Sequence, residues 1–216
     1  MKHATPLIVL GTTPTGERSL VVHSLSPQLG RRGFLADASK GRTLFLPLSL
    51  LDAEVVENPR SDLWRIRSVT AVEPLQGIRS NLYKNTMALF LSEVLFRLLR
   101  EGDREDGLFA WCERGIRTLD ALESDFSNFH LWFLLGLCGS LGFSPNMEDL
   151  APFAGSQLKN VEALLQSGFS EAMLLPLSGR SRSEIADTLL RYLSYHAETT
   201  LNIRSLDVLS EVFACK

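Results

Sequence analysis

Few side chains in this 216-residue sequence have the type and spacing that bond-making chemistry requires. Gly11-Thr-Thr-Pro-Thr-Gly16-Glu17 has the G-x4-G spacing of a phosphate loop. Glu17 stands where a lysine must meet the phosphates, and Pro14 removes an N–H from any nest, so a turn between strands is expected. There is no G-x-S-x-G elbow. His130 precedes Cys138 by eight residues, about two helical turns, too far along one helix for a base to reach its nucleophile. His3 and His23 stand apart in the first half, and His196 closes a predicted helix whose last carbonyls it can meet. The carboxylates Glu148-Asp149 and Asp103, Glu105 and Asp106 fall in polar, predicted loops and read as solvated surface rather than a metal site. Cys112, Cys138 and Cys215 are separated by 26 and 77 residues, which is neither a disulfide framework nor a zinc pattern, so reduced thiols are expected. The expectation is a protein without catalysis, metal or cofactor.

Binding chemistry is better represented. The formal charge is −3, yet residues 1–50 carry six cations against two anions. Arg31, Arg32, Lys40 and Arg42 lie close together, interleaved with Phe34 and Phe45, and Arg65 and Arg67 alternate with apolar residues further on. Single-stranded nucleic acid is held by cations along its backbone and aromatic faces under its bases. On this reading Arg31, Arg32, Lys40, Arg42, Arg65 and Arg67 neutralise phosphates, and Phe34 offers a stacking face. The plainer reading makes the charges solubilising, with Phe34, Phe45 and Trp64 in a core.

The elements that must position these residues change period near residue 75. Before it, Pro6–Gly11, Arg18–Leu25, Arg31–Ala38, Leu44–Glu57 and Leu63–Glu73 read as strands, enough for a small barrel or sheet. In Leu63–Val69, Trp64, Ile66 and Ser68 face one way, and Leu63, Arg65, Arg67 and Val69 the other. Pro47 cannot donate to a ladder, so the fourth strand is an edge or bends there. After it, apolar residues recur every three to four positions, predicting helices over Leu82–Arg100, Asp106–Leu122, Ser127–Leu141, Gln157–Gln166, Glu184–Ala197 and Leu206–Phe213. Ser181-Arg-Ser-Glu184 matches a capping box at the start of the fifth. Domains are expected at 1–76 and 77–216. Apolar runs are too short for a membrane span or a secretion signal, so a cytoplasmic location is expected.

The order of several segments resembles the bacterial recombination mediator family RecO. They are Gly16-Glu-Arg-Ser-Leu-Val-Val-His-Ser-Leu25, Gly30, Phe34-Leu-Ala36, Phe45-Leu-Pro-Leu-Ser-Leu-Leu51, Ala88-Leu-Phe-Leu-Ser-Glu-Val-Leu95, Asn128-Phe-His-Leu-Trp-Phe-Leu-Leu135, Leu141-Gly-Phe-Ser-Pro145, Leu190-Arg-Tyr-Leu-Ser-Tyr-His196 and Ile203-Arg-Ser-Leu-Asp-Val-Leu209. The resemblance implies an α+β chain, a five-stranded OB-fold barrel followed by an all-helical domain. It implies a non-enzymatic, nucleoid-associated protein that binds single- and double-stranded DNA and anneals complementary strands. With RecR, such a protein helps load RecA onto DNA coated by single-strand-binding protein (SSB). It also implies that the helical part takes the acidic SSB tail in an apolar pocket flanked by cations, for which Arg114, Arg117, Arg191 and Arg204 are the candidates. Many members carry a four-cysteine zinc module after the segment matching Leu141–Pro145. Asn146 to Ser183 contains no cysteine here, so no zinc is expected.

Two other classes remain. An adaptor whose barrel binds protein would engage RecR or SSB without DNA, and a hydrolase using Glu148 or Asp149 would show metal-dependent turnover.

Overall fold

The computed structural model describes residues 2–38, 43–59, 61 and 63–214. Five strands, β1 (Lys2–Pro14), β2 (Ser19–Ser26), β3 (Gly30–Asp37), β4 (Leu50–Val56) and β5 (Trp64–Ala71), close into a barrel in the order β1-β2-β3-β5-β4. Neighbouring strands are antiparallel except β3 and β5, which pair in parallel at Phe34↔Trp64 and Leu35↔Arg65. This is the OB-fold barrel that the resemblance implied. The long β1 serves both β2 and β4, bending at an irregularity between Val9 and Gly11. Inward-facing Leu7, Val22, Phe34, Leu51, Val55 and Trp64 fill the interior.

The fourth strand starts only at Leu50. Before it, Leu48 sits in the left-handed region (φ 58) and donates its N–H to the Val9 carbonyl at 2.8 Å. Pro47 therefore lies in a turn ahead of the ladder, where its missing donor costs nothing. On β5 the alternation holds from Trp64 to Ile66 and then slips. Ile66 opposes Val55, but Ser68 opposes Glu54, which leaves Arg67 unopposed in a bulge. Val69, expected beside the cations, packs on the core instead.

The helices are α1 (Gln76–Ser80), α2 (Leu82–Leu98), α3 (Leu108–Ala121), α4 (Phe129–Ser140), α5 (Met147–Ala154), α6 (Leu158–Gln166), α7 (Phe169–Leu174), α8 (Gly179–His196) and α9 (Ser205–Ala214). Helices α1, α5 and α7 were not expected, and each is too short to display a period. Glu148 and Asp149 lie in the first turn of α5, not in a loop, and the Asn146 side chain accepts the Asp149 N–H at 3.0 Å. Carboxylates there complement the helix dipole. Helix α8 begins before the expected capping box. Ser178 is its cap, accepting the Ser181 N–H at 3.0 Å, so Ser181 is already helical. Glu184 binds Arg180 at 2.7 Å and Gln157 at 2.5 Å rather than reaching back to a cap.

Two compact units result, Met1–Gln76 with Leu91–Ile116 and Gly77–Phe90 with Arg117–Lys216. In the first, the loop after α2 lies along β3. The Gly102 N–H donates to the Arg31 carbonyl at 2.9 Å, and the Gly33 N–H to Glu101 Oε1 at 3.2 Å. In the second, α8 packs on α4, α5 and α9 and buries Ile185, Leu189, Tyr192 and Leu193. The buried Asn128 amide donates to the carbonyls of Ala172 and Leu175, both at 2.9 Å, satisfying orphan acceptors at the end of α7. Asp120 Oδ1 accepts the Ile78 N–H at 2.8 Å, and its carbonyl accepts from the buried Lys84 Nζ at 2.9 Å. Among the described residues no helix is long and apolar enough to cross a membrane.

Candidate nucleic-acid interface

Strand geometry divides the basic cluster. Neighbours on a strand point to opposite faces, so Arg31 and Arg32 part company. Arg32 shares the inward phase of Phe34 and lies over the Trp64 ring, its guanidinium carbon 4.9 Å from the centroid. His3 stacks on the same ring at 5.2 Å, so Arg32 and His3 close that end of the barrel. Arg31 points outward, with a side chain only 15% exposed. Phe34 is wholly buried and has no face to offer a base, which agrees with the plainer reading of that ring. Lys40 and Arg42 lie outside the described residues.

Arg65 and Arg67 are exposed on β5, and neither pairs with a carboxylate among the described residues. The Leu35↔Arg65 register turns Arg65 to the outer face of the barrel, in phase with Arg31 on β3. Lys2, opposite Val56 as Arg65 is, adds a cation held by Glu54 at 3.1 Å.

Around Arg31 the fold brings up Phe96 and Arg97, which nothing in the sequence links to the basic cluster. The Phe96 ring, near the end of α2, holds the Arg31 guanidinium carbon 5.0 Å from its centroid, that of Arg97 at 5.7 Å, and the His23 ring at 4.7 Å. Glu101 approaches Arg31 Nη2 at 4.0 Å. Burial, then the Arg31 charge, hold His23 below the ordinary imidazole range, with Glu101 opposing. His23 Nε2 also shares a 3.0 Å hydrogen bond with Thr13 Oγ1. Arg97 carried no local signal, because helical packing and not sequence proximity brings it to β3.

In the second unit the nucleophile candidates are sealed away. His130 and Cys138 are buried. Burial, then the Arg182 charge, bring the imidazole down to about 3. Burial pushes the Cys138 thiol up to about 12, and in the first unit it drives the Cys112 thiol higher still. His196 packs against Tyr192 at 4.3 Å and Phe143 at 5.3 Å. The cysteine-free stretch from Asn146 to Ser183 is held by buried Leu150, Ala154, Val161, Leu164, Ala172 and Met173. Its residues do not fit a zinc module, and no group of His, Cys, Asp or Glu among the described residues could hold a metal ion.

Of the candidate tail-binding arginines, Arg191 lines an open groove of about 630 Å³ with Phe153, Leu190, Tyr195, Leu201 and Ile203. Its guanidinium carbon lies 5.7 Å from the Phe153 centroid, and its Nη1 lies 4.0 Å from Asp187. Arg204 is exposed but outside that lining, and Arg114 and Arg117 are exposed on α3.

Comparison with known proteins accounts for this combination of barrel and helices. The family model described as "Recombination protein O C terminal" matches residues 79–152. The DNA repair protein RecO of Phocaeicola vulgatus is 32% identical to the chain over 241 aligned positions, spanning 99% of this chain and 100% of the relative. That of Bacteroides fragilis is 31% identical and that of Flavobacterium psychrophilum 28%, each over 99% of this chain and all of the relative. A likeness that runs from the barrel through the last helix, at this identity, shows that the chain belongs to the RecO family of DNA repair proteins.

Proposed function

We propose that this protein is a recombination mediator that binds single- and double-stranded DNA through the outer face of its barrel, anneals complementary strands, and with RecR helps load RecA onto SSB-coated single strands. The observation that carries the reading is the exposure of Arg65 and Arg67, unpaired among the described residues, on the barrel of a RecO-family chain. Cations that no carboxylate neutralises are available to phosphates, and binding gains from counterion release. Annealing follows without bond chemistry, because strands held against cations repel each other less and pairing displaces the weak contacts. Such a protein works by binding, on chromosomal DNA in the bacterial cytoplasm. The acidic tail of SSB is assigned to the Arg191 groove, whose apolar residues Phe153, Leu190, Leu201 and Ile203 flank the cation, with Asp187 alongside as the group the tail must displace.

One observation favours the adaptor reading, in which the barrel meets a protein. Phe34 is wholly buried and Arg32 turns inward onto the Trp64 ring, which leaves fewer groups for DNA than the sequence suggested. Fluorescence anisotropy of a labelled oligothymidylate across a potassium chloride series separates the two. The mediator reading expects affinity that falls as salt rises, whereas undetectable binding at low salt together with retained affinity for RecR would favour the adaptor.

A further inference from the structure

The Phe96 ring gathers more positive charge than its surroundings cancel. Two guanidinium groups lie on it, at 5.0 Å for Arg31 and 5.7 Å for Arg97. Cation–π contact attracts both to the face of the ring, Arg31 from β3 and Arg97 from the next position on α2. Against them stands Glu101, at a distance of 4.0 Å from Arg31, a contact too long for a hydrogen bond. One oxygen of Glu101 is engaged elsewhere, by the Gly33 N–H at 3.2 Å. Arg97 is exposed and pairs with no carboxylate among the described residues. Arg31 Nε is buried without a hydrogen-bond partner, a donor for which an acceptor is missing. The third group on the ring, His23, is driven toward its neutral form by burial and then by the Arg31 charge, with Glu101 opposing.

We infer that Arg31 and Arg97, gathered on the Phe96 ring, form a seat for a backbone phosphate of bound nucleic acid, a contact separate from Arg65 and Arg67 on β5. Guanidinium groups suit a phosphodiester because several donors meet its oxygens in one plane. Nucleic acid is favoured over an acidic protein by continuity of the surface. Leu35, the β3 partner of Arg65, points outward in phase with Arg31 four residues earlier. Four residues of strand span about 13 Å, the rise of about four nucleotides at the spacing of a stacked strand. A single strand can therefore cross from Arg65 over β3 to the Phe96 ring, meeting cations at both ends. This inference rests on the DNA-binding reading and adds helix α2 to the contact surface.

The test uses the full-length protein, oligothymidylate anisotropy in a salt series, and the variants Arg97→Ala, Arg97→Lys and Arg65→Ala with Arg67→Ala. Arg97→Ala is expected to reduce the slope of log affinity against log salt by about 0.7, one single-strand phosphate contact, and Arg97→Lys to restore it. Arg97 is exposed, so thermal melting should not change. A second readout is the NMR signal of the His23 ring, expected to shift on adding the oligonucleotide and not on adding inorganic phosphate at the same phosphate concentration. A slope unchanged in Arg97→Ala but flattened in the Arg65, Arg67 variant would overturn this seat and leave DNA binding intact. An equal His23 shift with inorganic phosphate would make the seat a general anion site and overturn the strand path. No salt-dependent binding by the wild-type protein would overturn the DNA-binding reading as well.

Discussion

Adjacent arginines in this barrel do opposite things. Arg31 turns out to the Phe96 ring, and Arg32 turns in to Trp64, because a strand alternates its side chains. The sequence showed which cations were present but treated them as one patch. A strict application of period two to β3 would have separated them and put Phe34 in the core. Phe34→Ala should therefore cost about 3–5 kcal/mol of stability, the usual range for deleting a buried aromatic side chain. Arg65→Ala with Arg67→Ala should leave denaturant unfolding within about 0.5 kcal/mol of wild type. The same double variant should flatten the salt dependence of single-strand binding by about 1.4. His130 supplies a pH dependence with a definite sign. Its imidazole binds a proton near 6.5 in the unfolded chain but only near 3 in the fold. The unfolded state takes up the proton first, so this contribution is whole above about pH 6.5 and is lost as pH falls toward 3. Thermal midpoints between pH 4 and 6.5 should fall less steeply in His130→Leu than in wild type.

At the scale of elements, long periodic segments were legible and short ones were not. Helix α2 ends two residues before its expected end, and α3 and α4 lie within about two residues of theirs at each end. Their apolar stripes repeat often enough to count. Helices α1 and α7, with five and six residues, present one or two turns each and leave no such signal. The start of α8 is ambiguous in the sequence for a different reason. Both Ser178 and Ser181 precede an apolar stripe by a plausible distance, and a glutamate three residues after Ser181 mimics a capping box. The nearby Arg180 and Gln157 decide the matter by engaging Glu184, and Gln157 is 27 residues away in sequence. Ser178→Ala should therefore cost about 1 kcal/mol by urea unfolding, as the loss of a helix cap does, whereas Ser181→Ala should cost less. A one-residue bulge had a similar effect on β5. Period two could not foresee that Arg67 would stand unopposed and send Val69 inward. The gathering of Arg31 on the Phe96 ring beside Arg97 was not legible at all, since β3 and α2 meet only through tertiary packing.

On the scale of the whole molecule, the order of weak motifs carried more information than any single one. None of the segments matched to the RecO family contains a recognised catalytic motif. Most of them, such as Leu20, Val22, Phe34 and Leu134, report buried packing positions. Together they implied the barrel and the helices, and the likeness to RecO of Phocaeicola vulgatus runs the length of the chain. Core positions preserve a fold's pattern of apolar spacing, while surface cations are free to move between strands and helices, which is why the family was readable and the interface only partly so. A mediator acting through exposed arginines should be insensitive to chelation and sensitive to salt. The most direct measurement is the annealing rate of two complementary labelled oligonucleotides coated with cognate SSB, with and without this protein, in EDTA across a salt series, alongside the Arg65→Ala, Arg67→Ala variant. Acceleration by the wild-type protein that persists in EDTA, fades with rising salt and is reduced in the variant is the predicted result. Acceleration equal in wild type and variant at every salt concentration, or none at low salt, would contradict the assignment of annealing to the cations of this barrel.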